Sequence, residues 1–161
     1  MCGYRPDITE TISNAVRLIQ IISYEELQSA DKSRRHFYIA LRAATRKVPY
    51  QRIVWNRDHL LWVRQDLEYW NSSDTSELYG YLPKPGTSVT SFMLVDGASI
   101  IFAQNWETGR HIHLDGADAA RHFRFYFERM KTNSICIKRR GNPIDLGALD
   151  TFEESLAQQR Y

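Results

Sequence analysis

Two closely spaced histidines are the residues of this sequence best suited to chemistry. His111 and His113 stand two apart in a stretch that alternates polar and apolar residues, and Asp118 follows them. Such alternation predicts a half-exposed strand that carries both imidazoles on one face. An imidazole can attack phosphorus, carry a proton or bind a metal ion. No third metal ligand is evident in the sequence, and two histidines exposed on a strand without a chemical role remain the alternative interpretation.

A second group of candidates surrounds the Asp96-Gly97 pair. Residues 89–106 read as two short strands joined by a tight turn, for which an Asp-Gly pair is a strong signal. The strands are predicted at roughly 91–95 and 99–103, so a serine begins the first strand and two amides follow the end of the second, where amides can donate to an anion without carrying charge. The predicted ligand-binding residues are therefore Ser91, Gln104, Asn105, His111 and His113. The tight turn by itself explains why an aspartate stands at position 96, so Asp96 is not counted among the ligand-binding residues.

This hairpin resembles the signature of the phospholipase D-like superfamily, which runs His-x-Lys-x4-Asp, then Gly-Ser and Asn. Val89 stands at the His position and Ser91 at the Lys position, while Asp96 is kept. Ala103-Gln104 replace Gly-Ser, and Asn105 comes one residue early. In the superfamily the His attacks phosphorus and a cation holds the phosphate, and neither replacement can do this. The resemblance therefore implies an architecture whose site has lost its catalytic residues, so no catalytic residue is assigned.

Other segments resemble the same superfamily in the same order along the chain. They are a first strand at 19–24, a helix-then-strand unit at 37–54, and a closing strand and helix at 111–115 and 120–130. The likeness covers about residues 15–131 and is strongest to degenerate single-copy domains attached to bacterial regulators and signalling proteins. A single copy implies a homodimer, with Trp106 at or near the contact, and an effector or regulator protein is a further possible partner.

The pattern of elements predicts an α/β fold in which helices flank a mixed β-sheet, with phospholipase D-like architecture. Strands alternate with helices first and then follow one another, and right-handed crossovers place the first two crossover helices on one face. One helix is predicted at 57–70, capped by Asn56. Another is capped by Asp115 or Asp118, with Phe123 and Phe127 facing inward. The predicted organisation is an N-terminal extension at 1–14, the domain at 15–137 and a C-terminal tail at 138–161.

Composition limits the classes of partner that the chain is expected to bind. The formal charge of +2 over 161 residues is too small to indicate nucleic acid by itself. A basic patch is nevertheless an alternative, formed by Arg121, Arg124, Arg129, Lys138, Arg139 and Arg140. No apolar run reaches the ~18 residues of a membrane span, and no apolar segment typical of a signal peptide follows the N-terminus. The two cysteines lie far apart. We therefore expect a cytoplasmic protein with no membrane association, metal or cofactor.

Three functions are compatible with these observations. The favoured one is a non-catalytic regulatory or interaction module that binds a small ligand or a protein partner. The second is a phosphodiesterase or nuclease that uses His111 or His113. The third is an accessory nucleic-acid-binding protein that uses the basic residues above.

Overall fold

A single mixed sheet runs through the molecule. The computed structural model describes residues 8–23, 32–105 and 110–159, which contain seven strands and six helices. The strands are β1 (Ile19–Ile22), β2 (Tyr50–Val54), β3 (Ser76–Gly80), β4 (Phe92–Val95), β5 (Ser99–Asn105), β6 (Arg110–Asp115) and β7 (Ile135–Lys138). The helices are α1 (Ile8–Ser13), α2 (Lys32–Thr45), α3 (Arg57–Gln65), α4 (Leu67–Ser72), α5 (Ala117–Thr132) and α6 (Leu146–Gln158).

The strand order is β6-β5-β4-β1-β2-β3-β7. β1, β2 and β3 are parallel to one another, whereas β4, β5, β6 and β7 each run antiparallel to the strand they join. The predicted α/β class and mixed sheet are therefore confirmed. We call the end of the sheet where β1, β2 and β3 finish the carboxyl edge.

The two faces of the sheet carry different helices. Side chains from α1–α4 and α6 pack on one face, around Ile21, Leu78 and Met93, and we call this the five-helix face. Among the described helices, α5 alone packs on the other face, around Ile22 and Ile53. Right-handed crossovers predicted that α2 and α3 share a face, and they do. No helix among the described residues is long and apolar enough to cross a membrane.

The inward side of α5 matches the predicted stripe. Phe127 is fully buried, and Phe123 is half-buried with its ring centroid 5.0 Å from those of both Phe92 and Phe102. The helix does not begin as predicted, because its N-cap is Gly116 and no side chain caps it. Gly116 has a φ of 153°, which favours glycine over any residue with a side chain. The predicted caps Asp115 and Asp118 are therefore wrong.

Two other segments differ from the sequence prediction. The helix expected at 57–70 is two helices, separated at Asp66, although Asn56 caps the first of them as expected by accepting a hydrogen bond from the His59 backbone at 2.8 Å. The segment predicted as a C-terminal tail contains α6, whose Leu149 and Phe152 are fully buried. This segment therefore packs on the same core as the rest of the domain.

One close approach fixes α6 against the sheet. Gly80, the last residue of β3, lies under the ring of Phe152, and a Cβ at this position would lie 2.6 Å from the nearest ring atom. Only a glycine allows the ring to approach the strand so closely. The C-terminal helix is thereby held beside the carboxyl edge.

Candidate functional site

The carboxyl edge brings Ser91 next to a serine from a distant part of the chain. Ile22 pairs with Phe92 in the antiparallel ladder between β1 and β4. The next residues outward, Ser23 and Ser91, therefore lie opposite one another, and their hydroxyl groups are hydrogen-bonded. The position at which the superfamily motif has a lysine is thus occupied by a neutral hydroxyl with a partner.

Ser23 is the centre of this hydrogen-bonded group. The indole Nε1 of Trp55, just after β2, donates to the Ser23 hydroxyl oxygen at 3.0 Å. The Arg52 guanidinium donates to the Ser23 carbonyl at 2.8 Å, and the Ser23 backbone N–H donates to the Ile53 carbonyl at 2.9 Å. The φ of Ser23 is 97°, an uncommon and costly conformation for a residue other than glycine. Four surrounding contacts therefore hold a strained residue in place.

Arg52 supplies a positive charge that the sequence analysis did not identify. It is almost fully buried on the five-helix face, and its Nε donates to the Tyr50 hydroxyl. The guanidinium also lies over the Tyr50 ring, 5.5 Å from its centroid. Only 1% of the residue is exposed, so the group holds the end of β1 from inside and does not offer its charge to solvent.

His59 is a second residue that the sequence analysis missed. It is buried in α3, and its Nδ1 accepts a hydrogen bond from the Trp55 backbone N–H at 3.2 Å. Its ring meets the Trp55 ring edge-on with the centroids 5.2 Å apart. Burial, and after it the charge of Arg52, lower the pKa of His59 from 6.5 to about 3. His59 is therefore a neutral imidazole whose acceptor nitrogen is already occupied, so it is unsuited to act as a base or nucleophile.

The Asp of the motif has a structural role. The Asp96 carboxylate accepts hydrogen bonds from three successive backbone N–H groups: Val16 at 3.0 Å, Arg17 at 2.7 Å and Leu18 at 3.0 Å. Asp96 and Gly97 both have positive φ, 54° and 65°, as a tight hairpin turn of the predicted kind requires. The residue therefore ties the β4–β5 turn to the segment that leads into β1. This turn and Ser91 lie at opposite ends of β4.

The backbones of the predicted amides and of His111 lie at the same end of the sheet as Ser91. Gln104 and Asn105 end β5, and Ala103 pairs with His111 across β5 and β6. Continuing the β4–β5 register places Ser91 beside Ala103, so the backbone of His111 lies two strands away, about 10 Å. The side chains of Gln104, Asn105 and His111, and the whole of Trp106, lie outside the described part of the chain.

His113 lies one step further from the carboxyl edge. It pairs with Ile101, and its side chain is 9% exposed, with Nε2 3.1 Å from an Asp115 carboxylate oxygen. Asp118 stands in the first turn of α5, the helix that covers the other face of the sheet. The spacing His-x-His-x4-Asp therefore does not converge on one site. Among the described residues, no cluster of three or more His, Cys, Asp or Glu side chains could hold a metal ion.

The predicted basic patch divides in the structure. Lys138 is buried, and its Nζ donates to the carbonyls of Ser73 and Ser76, both at 2.8 Å. Burial lowers the pKa of this lysine. Its inclusion in a surface patch is therefore wrong, because its ammonium group satisfies backbone carbonyls inside the protein.

The remaining arginines belong to two separate places. Arg139 and Arg140 are exposed after β7, close to where Gly141 donates to the Asp74 carbonyl. Arg124 lies on α5 near Gly97, in the turn after β4. Because β4 and β7 are four strand steps apart, about 19 Å, Arg124 does not share a surface with Arg139 and Arg140.

An open cleft of about 550 Å³ lies beside Trp55, on the β2–β3 side of the carboxyl edge. Trp55 forms one wall together with the first residues of α3, and the loop after β3 and the end of α6 form the others. Charges of both signs line it, from Arg57, Asp58 and Lys84. Ligands of open α/β sheets commonly bind outside the carboxyl ends of parallel strands, and this cleft has that position.

Comparison with known proteins identifies the architecture. No family model matches the chain, and no curated protein matches its sequence. Among solved structures, Nuc from Salmonella typhimurium, a phospholipase D family member, superposes with a TM-score of 0.58 at 14% identity, over 82% of this chain and 89% of that one. NucT from Helicobacter pylori gives 0.57 at 14% identity, over 79% and 86%.

A third structure is that of TrmBL2, an archaeal chromatin protein with a novel mode of DNA binding. It gives a TM-score of 0.57 at 10% identity over 80% of this chain, and the match spans 48% of TrmBL2, about half its length. At these identities the likeness shows the fold. The chain has the fold of phospholipase D family members, as the signature hairpin implied.

Proposed function

We propose that this chain is a non-catalytic binding module built on the phospholipase D-like fold. The hydrogen bond between Ser23 and Ser91 carries the proposal. It stands where the motif would place a phosphate-holding lysine, and the Trp55 indole donates to the same Ser23 hydroxyl. Two neutral hydroxyl groups bound to each other offer little to a phosphate dianion, because strong anion binding needs charged or multiple free donors.

The nucleophile is missing from the same place. Val89, at the position of the motif histidine, packs against the apolar cluster beneath α5. The nearby imidazole of His59 is neutral and its acceptor nitrogen is occupied. Covalent and acid–base catalysis each require a group that can give electrons or protons at the reacting atom. The described side chains around Ser91 provide none.

The cleft beside Trp55 is the place we propose for a small ligand. Arg57, Asp58 and Lys84 supply both signs of charge, and Trp55 supplies an aromatic wall. This combination suits a small polar molecule with an apolar part, or a loop of a protein partner. The Trp55 indole would report either occupant, and Lys84→Glu should weaken a ligand whose negative group faces the loop after β3.

The dimer and the effector partner stay proposals. Two-fold pairing of this fold would bring the ends of β5 from two copies together, with Trp106, which lies outside the described residues, near the contact. Sedimentation of the wild type and of Trp106→Ala tests this. A concentration-dependent dimer weakened by the substitution supports the proposal, and a monomer at every concentration ends it.

Phosphodiester hydrolysis is the alternative function. The observation in its favour is that His113 Nε2 lies 3.1 Å from an Asp115 carboxylate oxygen, without the geometry of a hydrogen bond, since a nearby carboxylate can orient an imidazole. Against it, the His113 side chain is largely buried and stands away from the edge where Ser91 lies.

A hydrolysis assay distinguishes the two functions. With bis(4-nitrophenyl) phosphate and with a single-stranded oligonucleotide as substrates, we expect no turnover above buffer. Turnover that is lost in His111→Ala or His113→Ala would replace the binding module with a phosphodiesterase. Equal turnover by the wild type and both variants would come from a contaminating enzyme. The expectation that this chain does not hydrolyse phosphodiesters would then stand.

A further inference from the structure

The outer side of α5 combines an exposed aromatic ring with free arginines. Phe125 is 71% exposed. Arg121, Arg124 and Arg129 are exposed as well. Within the described part of the chain, none of the three guanidinium groups takes part in an ion pair or a side-chain hydrogen bond. An exposed phenylalanine surrounded by unpaired arginines has no evident role in the stability of the fold.

The spacing along the helix places these groups on one side. Arg121 and Arg129 are each four residues from Phe125, and residues four apart are neighbours on a helix surface. One cation therefore lies a turn before the ring and one a turn after it, about 12 Å apart along the axis. Arg124 precedes Phe125 on the helix and points elsewhere, towards the β4–β5 turn, where its Nη1 lies near Gly97.

Acidic groups on α5 do not cancel this charge. Glu128 is paired with Lys131 at 2.8 Å and accepts a hydrogen bond from Gln20 at 3.1 Å. Asp118 is exposed, but it stands in the first turn, where the helix dipole favours a carboxylate. The outer side of α5 therefore carries a net positive charge.

On the opposite face of the sheet, the helix α6 has the reverse character. There α6 presents the carboxylates of Asp150, Glu153 and Glu154, two of which share the single guanidinium of Arg64. A polyanion that approaches the protein is therefore attracted to the α5 side and repelled by the α6 side.

We infer that the outer side of α5 binds single-stranded nucleic acid. Proteins that bind single strands combine cations along the backbone with aromatic rings on which unpaired bases stack, and Phe125 between Arg121 and Arg129 reproduces that combination. A duplex hides the faces of its bases, so it would use the arginines and leave Phe125 without a role. Protein interfaces are also enriched in phenylalanine and arginine, so a protein partner is the competing occupant that the test must separate.

The test is fluorescence anisotropy of the full chain with a labelled oligothymidine of about 20 nucleotides. Phe125→Ala should weaken binding roughly tenfold, because stacking of a base on one aromatic side chain contributes about that much. Three phosphate contacts predict a slope of about −2 in a plot of log affinity against log salt, and each Arg→Ala change should reduce it by about 0.7.

Matched variants separate this surface from general effects. Leu61→Ala removes a similarly exposed apolar side chain from α3, 54% exposed, and should leave binding unchanged. Arg46→Ala with Lys47→Ala removes two exposed charges near the end of α2 and should weaken binding far less than Arg121→Ala with Arg129→Ala. Because Phe125 is exposed, Phe125→Ala should fold like the wild type, which thermal unfolding checks.

Three results would overturn the inference. The first is equal affinity of Phe125→Ala and the wild type for the single strand. The second is preferential binding of the matching duplex. The third is self-association or protein capture that Arg121→Glu abolishes while the oligothymidine does not bind. These results concern α5 alone and are independent of any ligand at the carboxyl edge.

Discussion

The carboxyl edge and the outer side of α5 differ in how their polar groups are satisfied. At the edge, the hydroxyl groups of Ser23 and Ser91 bind each other, and the guanidinium that donates to the Ser23 carbonyl, that of Arg52, is buried. On α5, Arg121 and Arg129 face solvent beside an exposed ring. The polar side chains of Ser23, Ser91 and Arg52 therefore bind partners inside the fold, whereas Arg121 and Arg129 have no side-chain partner among the described residues.

The two sides of α5 give the largest expected contrast. Phe127→Ala should lower the free energy of unfolding by about 3–5 kcal/mol, because it leaves a cavity against the sheet. Phe125→Ala should change it by less than about 0.5 kcal/mol, because the ring is exposed. Chemical denaturation measures both. A loss below about 1 kcal/mol for Phe127→Ala would mean that α5 packs by a different side.

A second contrast lies within the motif itself. Asp96→Ala should destabilise the protein by about 2–3 kcal/mol, because three backbone N–H groups lose a charged acceptor. Asp96→Asn should cost less, since the amide oxygen still accepts. The exposed Asp118→Ala is the control and should have little effect. If Asp96→Ala were as stable as the control, the carboxylate would have no anchoring role.

The buried imidazole predicts how stability depends on pH. The pKa of His59 is about 3 in the folded protein and 6.5 in the unfolded chain, so the unfolded chain takes up a proton first as the pH falls. The contribution of His59 to the free energy of unfolding is therefore complete above about pH 6.5. It decreases below that pH, by up to about 2 kcal/mol between pH 7 and pH 5. His59→Gln should flatten the curve in this window. An equally steep curve in the variant would assign the dependence to other groups.

Most of the fold was predictable because its signals are local. The apolar runs of β1 and β2, the Asp-Gly turn and the inward stripe of α5 each lie within a few residues. The helix α6 was missed because only Leu149 and Phe152 are buried among its described positions, with Pro143 and Gly141 shortly before it. The Asp145 side chain, which caps the helix through the Ala148 backbone at 3.1 Å, was the available signal.

The site was predictable only in part. The motif resemblance located Ser91, but its partner Ser23 comes from a segment 68 positions earlier. The partners of Asp96 are 78 to 80 positions away, so turn chemistry alone described only part of its role. Arg52 and His59 stand in an apolar strand and an ordinary amphipathic helix. Their burial follows from how β2 and α3 pack, which no local pattern reveals.

The most direct test of the central claim uses the Trp55 indole as a reporter. Its Nε1–H donates to Ser23 at the centre of the carboxyl edge, so its NMR signal should respond to any anion bound there. On titration with dimethyl phosphate and with inorganic phosphate, a neutral pair of hydroxyl groups predicts no saturable shift of this signal that depends on Ser91. A saturable shift that Ser91→Ala abolishes would show that the edge still binds phosphate and would contradict the account.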